Sequence, residues 1–459
     1  MKTNLLATAL VLACASCTHY EPEPLDPVAE HGALATRGAT RERPETVSSL
    51  PADLFPIAAE VDIDDGVTLA EANALALFYS PRLVAARGDL KLKGAELLRA
   101  GLLPNPELFL GPRLATEGGG LIFPASLSIE IPLDGRLDAE KGRAAAELEA
   151  ARLLLLDREA EVLVSVRQRL VRIAGLRSRR EILEALARAS EQALTRTQEL
   201  VRIREADQVA LGLASLHRDE AGRDLRDTET ALARSHVELL TFIGLLPDSR
   251  VRVEANEDLL TPVAVPETGD PSRMLEHTRL RALEASYKAR ERGVEGAIAR
   301  QYPSLKIGPE FESDDGQASV GLGLSISLPI FDSNAGGIAV ATERRARGRE
   351  AWRAALVDLA ARESLARMNL QAARSLLDVL RTRTLPAAES AEQALEARLR
   401  IGQTTLVEVL ATRGAIARAR LRDVELTQEV ATRSLEALWY AGLLLAPPKP
   451  DHRDGGEER

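Results

Sequence analysis

The chain states one plan twice, and that repetition limits what it can fold into. Residues 237–245 read Val-Glu-Leu-Leu-Thr-Phe-Ile-Gly-Leu and residues 435–443 read Leu-Glu-Ala-Leu-Trp-Tyr-Ala-Gly-Leu, so Gly244 recurs as Gly442, 198 residues later. Pro106 and Pro303 each open a short alternating segment, Pro132 and Pro329 each close it, and the members of both pairs lie 197 residues apart. Each copy has the same order of parts: a helix, a strand hairpin, then a helical stretch far longer than the usual three or four turns.

The hairpins are two-faced. From Ser319 to Leu328 the sequence alternates, with Val320, Leu322, Leu324, Ile326 and Leu328 on one side and Ser319, Gly321, Gly323, Ser325 and Ser327 on the other. Its partner is expected over Leu305–Glu312, with Ser313–Gly316 as the turn. The first copy repeats the pattern with Glu107–Arg113, a loop at Gly118–Gly120, and Leu127, Ile129 and Ile131 against Ser128 and Glu130. Strands of about ten residues cross a bilayer when tilted. Four strands cannot close a barrel and an open edge is not tolerated in lipid, so protomers in a membrane must pool strands; three chains supply twelve.

After each hairpin comes a tight turn, Pro132–Arg136 or Pro329–Asn334, and then the long helices. No proline occurs in the 114 residues from Leu133 to Leu246. The spacing predicts a helix over Leu137–Ile203, roughly 100 Å long at about 1.5 Å per residue, a turn near Arg204–Gln208, and a returning helix. In the second copy a helix is expected over Ile338–Ile401, broken by Pro386, with a turn at Gly402–Thr405 and a return from Leu406. Apolar residues recur at three and four, as in Leu148, Leu155, Val162, Val166 and Leu170, with Arg and Glu between them, the pattern of coiled-coil-like packing. Thr68 and Glu71 form a capping box for the first helix, which Pro81 is expected to kink; Asp270 and Pro271 open its counterpart. The fold class is therefore mainly α with a small β part, in two tandem repeats.

The N-terminus reads as an address. Met-Lys precedes an apolar run, Leu5–Ala13, too short to span a bilayer, and the chain's two cysteines, Cys14 and Cys17, follow where a bacterial lipoprotein signal ends. Either cysteine fits the role of lipid-bearing N-terminus, and an ordinary signal cleavage nearby is the alternative. The resulting division is a signal region at 1–17, an extended tether at 18–66, a first repeat at 67–247 (hairpin about 105–132), a linker at 248–270, a second repeat at 271–446 (hairpin about 303–330), and a tail at 447–459. Hydrophobic content of 45% with 3% aromatics suits long helices packed through small side chains, and a net charge of −10 argues against nucleic acid as a partner.

Nothing in the chain has the pattern of an enzyme or a cofactor site. His19, His31, His217, His236, His277 and His452 are scattered without metal-ligand spacing, and Gly118–Gly120 lacks the strand-to-helix setting of a phosphate loop.

Across roughly residues 66–446 this order of parts resembles the outer-membrane efflux proteins of the TolC type. The resemblance is carried by Tyr79-Ser-Pro81-Arg-Leu-Val-Ala-Ala-Arg87, by Leu328-Pro-Ile-Phe-Asp332, and above all by Ile401-Gly-Gln-Thr-Thr-Leu-Val-Glu-Val-Leu410, which looks like the family's periplasmic tip. The resemblance implies a homotrimer with a twelve-stranded barrel in the bacterial outer membrane, continuing into a helical tunnel across the periplasm. It also implies a passive duct docked on a periplasmic adaptor and an inner-membrane pump, and lipid anchoring suits the branch serving drug or metal exporters. The first tip departs from the pattern: Arg202-Ile-Arg-Glu-Ala-Asp207 has no glycine. The residues expected to hold or tune a gate are Glu408 with Arg400, Gly402, Thr404 and Thr405, and Arg204, Glu205 and Asp207 from the first tip; solvated turn residues are the plain alternative. A type I secretion duct and a non-conducting periplasmic structural lipoprotein are the competing functions.

Overall fold

The computed structural model describes residues 20–37, 51–63, 66–114, 121–247, 251–266, 271–314, 317–401, 403–404 and 406–444. Both cysteines, the Gly118–Gly120 loop, Gly402 and Thr405 lie outside them. In chain order the elements are α1 (Pro27–Ala35), α2 (Leu69–Tyr79), α3 (Pro81–Ala100), β1 (Glu107–Leu110), β2 (Arg113–Leu114), β3 (Leu121–Ile131), α4 (Arg136–Arg202) and α5 (Gln208–Ile243). The second repeat follows with α6 (Pro271–Leu275), α7 (Thr278–Ala299), β4 (Leu305–Asp314), β5 (Gln317–Ile326), α8 (Ala335–Val379), α9 (Leu385–Arg400) and α10 (Leu406–Tyr440).

Local chemistry sets most of these boundaries. Thr68 and Glu71 cap α2 reciprocally, the Thr68 amide donating to the Glu71 carboxylate at 2.9 Å and the Glu71 amide to Thr68 Oγ1 at 3.4 Å. Pro81 does not kink this helix but ends it. Ser80, forced to ψ 122 by the following proline, stops α2, and Pro81 becomes the first residue of α3, where its missing N–H costs nothing. Pro386 also differs from expectation. The helix passes it unbroken, because a π turn at Leu380–Thr384 widens the backbone just upstream, where the ring would otherwise meet a carbonyl of the preceding turn. Part of the stretch expected as an extended tether is helical: Asp26 caps α1 by accepting from Val28 N (2.9 Å) and Ala29 N (3.2 Å), with Pro27 at its first position. Farther along, Phe55 is fully buried.

The two hairpins are one sheet, of order β1-β3-β4-β5, with β2 a second short partner of β3 where Gly111-Pro112 interrupts the outgoing strand. The join is antiparallel between β3 and β4, in a register that sets Ile129 opposite Ile307 and Ile131 opposite Leu305. The helices are layered in the same order, α3-α4-α7-α8. Each helix is thus the continuation of one strand.

The link from sheet to helix is the same elbow in both repeats. Gly135 (φ 74) and Asn334 (φ 58) take the left-handed conformation immediately before α4 and α8. In each case an aspartate two residues before the acceptor's partner holds the turn: Asp134 accepts from Arg136 N at 3.0 Å, and Asp332 from Asn334 N at 2.8 Å.

The hydrophobic centre lies half-way down α4. Leu163, Leu170 and Ile173 are wholly buried against Leu75 and Leu77 of α2, Leu239 and Ile243 of α5, Val253, Leu260 and Leu435. The repeated Gly-Leu motif belongs to this girdle. Gly244 (φ 88) and Gly442 (φ 69) end the returning helices, and each packs on the backbone of an earlier segment, at Tyr79 O and Arg273 O, where a Cβ would collide. Below the girdle α4 pairs with α5, and α8 and α9 with α10.

Candidate channel wall and periplasmic tip

On the sheet, the pairing register gathers Leu108, Leu127, Ile129, Ile307, Phe311, Val320, Leu322, Leu324 and Ile326 on one face. That face is bare: Val320 is 79% exposed and Leu322 66%. No helix packs on it among the described residues, and a contiguous apolar surface of this kind marks contact with lipid or with another chain. The opposite face carries Glu107, Ser126, Ser128, Glu130, Lys306, Glu310 and Glu312. Lys306 Nζ donates to Glu107 Oε2 at 2.8 Å, and Arg136 at the start of α4 binds Glu130. The outer edges of β1 and β5 have no strand partner among the described residues.

No helix is long and apolar enough to cross a membrane among the described residues. No group of three or more His, Cys, Asp or Glu that could hold a metal ion occurs among them either.

At the far end of α4 the chain turns without glycine. Arg204 supplies the left-handed residue itself, at φ 65, and the amides of Glu205 (2.8 Å) and Ala206 (3.3 Å) both donate to Leu200 O, closing the helix end. For a residue with a Cβ that conformation costs about 1 kcal/mol. Asp207 then caps α5, accepting from Ala210 N at 2.8 Å. At the second turn Gln403 N donates to Arg398 O at 2.9 Å, and the Arg398 guanidinium to Gln403 O at 3.2 Å. Thr404 Oγ1 donates to Glu408 Oε2 at 2.8 Å, so these two expected site residues do meet, with Glu408 exposed. Arg400 closes α9. The two turns sit at one end of the molecule, because Leu410 packs with Leu194 of α4 and Ala214 of α5.

A buried polar group had no signal in the sequence. Where α7 begins beside α4, Thr278 Oγ1 donates to Asp157 Oδ1 at 2.7 Å, and His277 caps α7 by accepting from Arg279 N at 3.2 Å. The His277 ring meets Trp439 edge-on at 5.2 Å. Burial pushes the His277 pKa below its ordinary value; the Asp157 carboxylate, 3.9 Å away, works in the other direction but does not prevail. Nearby, Glu159 is held above the usual carboxylate range by burial, against the opposing pull of Arg87 at 3.4 Å. A His-Thr pair opening an amphipathic helix looks like an ordinary cap, and only the tertiary packing brings Asp157 to it.

Two-faced strands thus continue one for one into helices, and α4 reaches roughly 100 Å from the sheet. Residues 273–439 match the family model of the outer membrane efflux protein. The chain is 24% identical to the cobalt-zinc-cadmium resistance protein CzcC of Cupriavidus metallidurans over 362 residues, which cover 78% of this chain and 85% of that protein. Among solved structures it is similar to the outer membrane protein VceC of Vibrio cholerae, with a TM-score of 0.69 at 16% identity over 81% of this chain and 95% of that one. It is also similar to the CmeC outer membrane channel of Campylobacter jejuni, with a TM-score of 0.71 at 15% identity over 95% and 96% of the two chains. The family match thus falls within the second repeat, and the fold of the whole chain is that of solved outer membrane channels.

Proposed function

We propose that three copies close a twelve-stranded barrel in the outer membrane and serve as the passive exit duct of a tripartite efflux system for metal ions. The observation that carries this reading is the four-stranded sheet with one bare apolar face and two unpaired edges. Pairing β5 of one protomer with β1 of the next removes every open edge, which a hydrocarbon environment requires. The polar face then lines the pore, and the tip formed by the two turns reaches toward an adaptor and an inner-membrane pump that supplies the energy.

The metal cargo follows the name of the Cupriavidus relative, a cobalt-zinc-cadmium resistance protein. Lipid on Cys14 or Cys17 would anchor each N-terminus in the outer membrane. Glu408 with Thr404, Thr405, Gly402 and Arg400, and Arg204, Glu205 and Asp207, would surround the aperture at the tip, where three-fold symmetry turns each carboxylate into a ring of like charges.

The first test is the mass of the detergent-extracted protein after cross-linking, read with its mobility before and after heating. A heat-sensitive trimer is the expected result, and a monomer released without detergent once its lipid is removed would sink the duct. Cargo is read separately: deletion of the gene should sensitise cells to cobalt, zinc or cadmium, and unchanged tolerance to all three would discard the metal assignment.

A further inference from the structure

We propose that the helical part of the duct, next to the barrel, carries an anion-binding belt, so that the lumen passes from basic to acidic along the exit path. The groove between α3, α4, α7 and α8 has a volume of about 1170 Å³ and is lined by eight Lys and Arg side chains against three Asp and Glu. Among the described residues, three of the cations, Arg290, Arg344 and Arg347, have no acidic partner within salt-bridge distance, and Arg290 Nη1 is buried without a hydrogen-bond partner. The other five cations are in contrast paired: Arg143 with Glu147 (3.3 Å), Arg300 with Glu140 (2.8 Å), Lys93 with Glu96 and Glu147, Arg158 with Glu161 and Arg292 with Glu295. Arg290 Nη1 itself is packed against Gly348, so the groups open to a solute are the exposed guanidiniums of Arg344 and Arg347, and unpaired guanidiniums in a groove with a surplus of positive charge are an offer to an oxyanion.

The placement is built rather than incidental. Arg290 lies across Gly348, where any Cβ would collide with its guanidinium, and Arg292 lies over Gly142, where a Cβ would come within 3.3 Å of Cδ. The glycines make room for the arginine stems on the neighbouring helix.

The groove also faces the side that the polar sheet face continues. Arg136, Glu140, Arg143 and Glu147 follow at spacings of four, three and four along α4, a single helical stripe. The stripe starts at the Arg136 that binds Glu130 of the polar sheet face and runs into the groove lining. Above it that sheet face holds Glu107, Glu130, Glu310 and Glu312 against Lys306 and Arg113. If the duct closes as a trimer, the reading on which this inference rests, a basic belt and an acidic belt follow one another in the same lumen. Three-fold symmetry repeats each unpaired arginine around one ring, and walls of low dielectric focus such a field onto the solute. The ligand class that fits is the small multivalent anion, metal–polycarboxylate complexes included; a bare hydrated divalent cation would be repelled there.

The test uses the full-length protein extracted from outer membranes and reconstituted in planar bilayers, with hexacyanocobaltate(III), an inert trivalent anion, as probe. The expected result is saturable block of the current, with the half-blocking concentration raised about tenfold in R290Q/R344Q/R347Q. Arg344 and Arg347 are exposed, so R344Q/R347Q alone leaves helix packing intact and should still shift block about threefold. E310Q/E312Q, altering the acidic belt, should leave anion block unchanged. Channels that conduct but are not blocked, or are blocked equally in the arginine variants, overturn the belt and leave the duct standing. Absence of any conducting species overturns both.

Discussion

The girdle around Leu170 and the strand face around Leu322 are equally apolar in sequence, yet one is sealed and the other bare. Leu163, Leu170 and Ile173 have no exposure and are enclosed by side chains of their own chain, whereas Leu322 and Leu324 are about two-thirds exposed. The girdle is a core in the ordinary sense, complete within one protomer. In the proposed assembly the strand face is half of an interface whose other half is lipid and further copies of the chain, so its stability would be conditional on assembly.

The largest expected difference between the two regions comes from charging the strand face. Leu322→Arg places a cation in the lipid-facing band at a cost of about 2–4 kcal/mol per copy at mid-depth, repeated in every subunit. The heat-sensitive trimer should disappear from outer-membrane extracts while the girdle still folds. A Leu322→Arg protein that yields normal trimers would place that face away from lipid. Leu170→Ala acts the other way round: removal of a fully buried side chain should lower stability by about 2–5 kcal/mol, seen as an earlier thermal unfolding midpoint, with outer-membrane insertion retained in whatever folds.

A smaller effect should come from acid, and only in the girdle. His277 is buried with its pKa lowered, so the unfolded chain takes up a proton before the folded one does, and stability falls as pH drops below about 6.5, the unperturbed imidazole value. His277→Gln should flatten the decline of the thermal midpoint between pH 7 and the folded-state value. A slope identical to that of the unmodified protein would remove His277 as its source. The smallest change is at the tip. Arg204→Gly relieves a left-handed residue, and the gain in unfolding free energy should be roughly 0.5–1 kcal/mol, visible as a slight rise in the midpoint; a fall would show that the Arg204 side chain holds the turn.

Much of this was legible in the residues. The absence of proline from Leu133 to Leu246 and the three-four spacing of leucines announced α4, and the Thr68–Glu71 box fixed the start of α2, because these signals are local. The alternation in β5 fixed which side chains share a face. What could not be read was tertiary. No local pattern states that β3 pairs with β4 rather than leaving two separate hairpins, since each hairpin satisfies its own turn first. Pro386 looked like a break because a proline's effect depends on whether the preceding turn can widen, and that depends on what packs around Leu380. Of the candidate site, the Thr404–Glu408 contact follows from helical spacing, while Arg290, Arg344 and Arg347 resembled the solvated faces of any Arg-rich helix until the fold set them around one groove.

In the proposed duct, the shared elbow at Gly135 and Asn334 would separate two dimensions. Bore is decided above the elbow, by how many strands pair and in what register; reach is decided below it, by how many helical turns lie between the elbow and the tip. Matched insertions of whole heptads into α4 and α5, and into α8 with α9 and α10, would lengthen the tunnel by about 10 Å per heptad without touching a residue that meets the membrane. Such a chain can be fitted to a deeper or shallower periplasm by editing one region, with its exit aperture left as it was.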